Sequence, residues 1–82
     1  MPYIRKEDRP EIDRILRVLR PLNVGELNYT ITMLCKAYME QNGESYKHYN
    51  DLIGVLECAK LELYRRKISI YEDVKITENG DV

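Results

Sequence analysis

Glu57 lies inside the run Ile53-Gly54-Val55-Leu56-Glu57-Cys58-Ala59, where every neighbour is apolar or small. A carboxylate in such company reaches solvent, finds a cation, or keeps its proton, because an unpaired buried charge costs on the order of several kcal/mol. Three chemistries follow. Lys60, three residues on, can pair with it on a helix. Alternatively Glu57 meets Asn28 or Thr32 and a tyrosine hydroxyl in a buried polar cluster, which fixes helix register or lines a ligand site. In the third, Glu57 works as general acid or base while Asn28 and Tyr29 position a substrate. A second constellation is Arg65-Arg66, followed by Lys67. Glu62 stands three and four residues before the arginines, so helical ion pairs account for both. The functional alternative is a guanidinium pair gripping a phosphate or a partner's carboxylate, with a tyrosine ring such as Tyr64 beside it.

Other reactive side chains suggest less. Cys35 and Cys58 form no Cys-x-x-Cys pair, and His48 is the one histidine, so neither a metal site nor a disulfide framework is expected. Both thiols are expected to be buried. Spacing puts no serine, cysteine or acid beside His48, and no glycine-rich phosphate loop is visible. The expectation is a non-enzymatic chain without a cofactor.

The elements that must position these groups are helices. Asp8-Arg9-Pro10-Glu11 is a helix start, with Asp8 as cap and proline in the first turn. The first helix is expected over 9–20, with Ile12, Ile15, Val18, Leu19 and Leu22 on its apolar side and Pro21 as its stop. Asn23 caps a second helix over 24–42, with Glu26 at its third position and Gly43 at its end. Val24, Leu27, Ile31, Leu34, Cys35 and Tyr38 form its stripe, onto which Asn28 also projects; Tyr29 and Met33 lie on the other side. Ser45 or Asn50 caps a third and longest helix over 46–71. Its main stripe is Tyr49, Leu52, Ile53, Leu56, Ala59, Leu63 and Ile70. The last residues, 74–82, alternate apolar and polar and contain Asn79-Gly80, which reads as a short extended arm. The fold class is all-α: one three-helix domain over 1–82 with a C-terminal arm.

Gly54 needs a reason inside a helix, where glycine costs about 0.5–1 kcal/mol relative to alanine. Gly54, Cys58 and Leu61 form a narrow group roughly opposite the main stripe, shaped for a second helix. That helix is either the first helix of the same chain or the third helix of a second copy.

The chain has 82 residues, 44% hydrophobic and 33% charged. A domain of this size buries only about 60–65% of its unfolded surface, so self-association is a natural source of further burial. Thirteen basic against fourteen acidic residues give no electrostatic reason to bind nucleic acid or an anionic membrane. Glu57 and Glu62 also stand where a DNA-recognition helix wants basic and amide groups. No apolar run is long enough to span a bilayer, and MPYIRKEDRP lacks a signal peptide's apolar region, so a cytoplasmic location is expected. Seven tyrosines with no phenylalanine or tryptophan suit half-buried positions or a protein-contact surface.

The N-terminal MPYIRKEDR with GELNYTIT (25–32), IGVLECAKLELYRR (53–66) and YEDVKITENGDV (71–82) resembles a family of short uncharacterised proteins found in bacterial and phage genomes. The resemblance spans nearly the whole chain. It implies a bacterial cell or a phage-infected host and nominates no activity. Two functions remain open: a homo-oligomeric protein-interaction module, with Gly54, Cys58 and Leu61 at its interface, or a binder of a small anionic ligand such as a nucleotide.

Overall fold

The computed structural model describes residues 3–20 and 23–82; Pro21 and Leu22, expected as the stop and the last apolar residue of the first helix, lie outside them. Among the described residues there is no strand. Helix α1 spans Pro10–Val18, α2 Val24–Asn42, α3 Tyr46–Leu63 and α4 Ser69–Asn79. A π-turn, Tyr64–Ile68, joins α3 to α4 without a break, making a third helix of 34 residues. The helices divide between two units, Met1–Gly43 and Glu44–Val82.

In the first unit, Asp8 does not cap α1. It closes a short 3-10 turn, Lys6–Asp8, and its carboxylate accepts from Arg5 Nε at 3.3 Å. Arg9 takes the cap position without a side-chain bond, and Pro10 opens the helix, where its missing N–H is no loss. The helix ends at Val18 rather than Arg20, with Leu19 already extended at ψ 118°. Arg20 precedes a proline, and that position disfavours helical backbone. The α1 face is also corrected. Ile12, Ile15, Leu16 and Leu19 fall within about 100° of one another, whereas Val18 points away and is 83% exposed. Helix α2 starts as expected, with Asn23 Oδ1 accepting from the Glu26 N–H at 2.8 Å. It ends where Gly43 turns to φ 90°, a conformation that favours glycine.

In the second unit, Ser45 and not Asn50 caps α3, its Oγ accepting from the His48 N–H at 3.2 Å. The expected extended arm at 74–82 is helical through Asn79. Gly80, at φ 84°, ends the helix, so Asn79-Gly80 is a helix terminus rather than a hairpin turn. Helix persists here because its polar groups are satisfied locally. The Thr77 hydroxyl donates to the Asp73 carbonyl, Lys75 pairs with Glu78, and the Lys75 ammonium lies 5.5 Å from the centre of the Tyr71 ring.

Among the described residues none is buried, and no helix is long and apolar enough to cross a membrane. The expected buried thiols are accordingly absent: Cys35 is half-buried and Cys58 exposed. The caps give a direct check. Asn23→Ala and Ser45→Ala should each lower stability by about 0.5–2 kcal/mol in urea unfolding, and Asn50→Ala should change it little.

Candidate functional site

A single residue inserted at the π-turn organises the chemistry of the second unit. The Ser69 N–H donates to the Tyr64 carbonyl, five residues back instead of four, while the Ser69 hydroxyl donates to the Arg65 carbonyl at 2.7 Å. One extra residue in the turn rotates everything downstream by about 100°. Two consequences follow from helix geometry, and the second is visible in a side-chain bond. Ile70, expected on the line of Leu52, Leu56 and Leu63, is turned off it, and Tyr71 takes that line. Tyr64 and Glu72, about 80° apart on an uninterrupted helix, come into line two turns apart. The Tyr64 hydroxyl reaches both carboxylate oxygens of Glu72 at 2.8 Å. This hydrogen bond to Glu72, with some loss of hydration, raises the Tyr64 pKa above its ordinary value of 10.0.

Glu57 is where the plainest of its three chemistries puts it. It is exposed and pairs with Lys60 at 3.1 Å. The helical pairing three residues apart is therefore formed within α3. Arg66 pairs with Glu62. Arg65 is left without an acidic partner, so the expectation that Glu62 accounts for both arginines holds for one of them. Arg65, Arg66 and Lys67 line one shallow depression together with Ile70. On α2, Asn28 is exposed on the apolar side. Tyr29 lines a separate shallow depression with Leu19, Arg20, Gly25, Glu26 and Thr30. Gly54 and Leu61 are exposed with Cys58, and a Cβ built on Gly54 meets nothing within 4 Å. Within its own unit no backbone approaches closely enough to explain that glycine.

Sequence reasoning missed Glu72 as the partner of Tyr64, because an eight-residue separation looks mismatched on a regular wheel. It also missed Leu16, which completes the α1 face. The signal available for Leu16 was its position one and four residues from Ile15 and Ile12.

The Tyr64 pKa generates a test with a definite sign. A phenol whose pKa is raised on folding adds stability in full below about pH 10, and loses it as pH rises through the higher folded value. Absorbance titration of wild type minus Tyr64→Phe should therefore place the missing phenol above pH 10; a difference curve centred at or below 10 would show that the bond to Glu72 does not form.

No curated protein and no solved structure matches the chain. A family of domains of unknown function matches it from end to end, over residues 1–82, and the chain belongs to that family, DUF6899.

Proposed function

We propose that this chain is a non-enzymatic helical interaction module that works as a homo-oligomer, its hydrophobic core forming when copies come together. One observation carries the reading: none of the described residues is buried, although each of the first three helices has an ordered apolar face. Ile12, Ile15 and Leu16 stand on α1, Leu27, Ile31 and Leu34 on α2, and Ile53, Leu56 and Leu63 on α3, all exposed. Apolar burial is the dominant favourable term in folding, and it must offset about 1–2 kcal/mol of backbone entropy per ordered residue. Isolated helices of fewer than about 12–15 residues are marginal in water, so propensity alone does not hold α1. The exposed ion pairs add little.

Length favours a second copy as the source of cover. Helices α1 and α2 hold 9 and 19 residues, about 42 Å of helix in all at 1.5 Å per residue. The third helix is 34 residues long, about 51 Å. Its apolar residues stand on more than one side: Leu52, Leu56 and Leu63 share a line, while Leu61 belongs to the opposite group. The chain's own two helices are too short to cover both sides. The spacings 24, 27, 31, 34, 38 on α2 and 49, 52, 56, 59, 63 on α3 alternate three and four, the pattern that seats one helix against another. In this reading Gly54, Cys58 and Leu61 lie at a contact between copies.

Light scattering tests the proposal on wild type and Leu56→Asp. The expected result is an oligomer for wild type and a monomer of reduced helicity for the variant. A wild-type monomer at concentrations of about 1 mM, where even a weak dimer is substantially populated, would overturn it. Gly54→Ala separates the two explanations of the glycine. It should raise helix stability by about 0.5–1 kcal/mol if Gly54 faces solvent, and shift the oligomer towards monomer if a second backbone crosses there.

A further inference from the structure

The second unit neutralises most of its cations within one helical turn. Lys47 pairs with Asp51, Lys60 with Glu57, Arg66 with Glu62, and Lys75 with Glu78, each three or four residues apart. Arg65 and Lys67 are the exceptions, and the sequence explains why. Lys67 has Leu63, Tyr64, Ile70 and Tyr71 at the pairing positions. Arg65 has Leu61, Glu62, Ile68 and Ser69, and Glu62 holds Arg66. The next acid downstream, Glu72, is turned back to Tyr64 by both oxygens.

Three consecutive residues on an α-helix fan out over about 200°, yet Arg65, Arg66 and Lys67 border a single depression at the widened π-turn, with Ile70 as its apolar wall. Widened turns of this kind occur often at functional sites. Two positive charges remain there once Glu62 is set against Arg66.

We propose that this depression binds a small phosphate-bearing ligand, with Arg65 and Lys67 holding the phosphate oxygens. Charge selects phosphate over carboxylate. A phosphate monoester carries about −1.5 to −2 at neutral pH and balances both free cations, whereas a carboxylate carries one negative charge and leaves a cation unmatched. The planar guanidinium offers paired N–H donors that fit phosphate oxygens, and the lysine adds a compact point charge. Ile70 gives an apolar surface for whatever carries the phosphate. This site is separate from the self-association reading and does not depend on it.

Calorimetric titration of the full chain at low ionic strength tests the proposal, with pyrophosphate and adenosine triphosphate as probes and acetate as the carboxylate control. Both phosphates should bind and acetate should not. Arg65→Gln and Lys67→Gln should each weaken binding about tenfold, as expected when one charge-assisted contact is lost. Arg65→Lys should recover part of the loss, and Lys47→Gln, whose charge is already paired with Asp51, should bind as wild type does. Circular dichroism verifies that each variant keeps its helix. Absence of heat with either phosphate at millimolar concentration would overturn the proposal. So would binding that Arg65→Gln and Lys67→Gln leave unchanged, or acetate binding as tightly as pyrophosphate.

Discussion

An apolar helical face in water must be covered, and everything else in this chain is arranged around helical faces that stay open within each of its two units. Folded chains of ordinary composition bury most of their large aliphatic side chains. Here Ile53 remains 67% exposed two turns into the longest helix. Helix geometry is nonetheless well specified. Asn23 and Ser45 cap their helices with side-chain oxygens, and Gly43 and Gly80 end them with left-handed backbone. Local signals thus set where each helix begins and ends, while the proposed association of copies supplies the burial that makes ordered helices worth their entropy.

The π-turn is the second determinant. A continuous helix of this length would carry one stripe from end to end. The inserted residue divides it, leaving Leu52, Leu56 and Leu63 in one phase and turning Ile70 off their line. The same insertion makes the Tyr64–Glu72 bond geometrically available and so withdraws the acid that lies nearest downstream of Lys67. Packing phase and local charge are therefore set by one backbone feature, and a substitution that straightened the turn would disturb both together.

Much of this was legible in the residues. The second helix was readable to its ends because cap, stripe and terminal glycine agree with one another. The third was readable at its start, where a serine cap precedes a long periodic segment. Val74-Lys75-Ile76-Thr77 misled because a short alternating stretch suits a strand as well as a helix, and β-branched residues favour the strand. Ion pairing with Glu78, the Lys75–Tyr71 contact and the Thr77 back-bond tip the balance towards helix. The π-turn left no compositional trace, so the phase of Ile70 and the Glu72 partner of Tyr64 lay beyond a regular wheel. Glu57 stood out because apolar neighbours suggest burial; within its own helix the ordinary pairing with Lys60 three residues on is what forms.

The central claim, that the hydrophobic core of this protein forms between copies, is tested most directly by thermal unfolding followed at 222 nm over about a hundredfold range of protein concentration. Folding coupled to association obeys mass action, so the midpoint should rise steadily with concentration. A cooperative midpoint that does not move with concentration, in a species of monomer mass, would contradict the account.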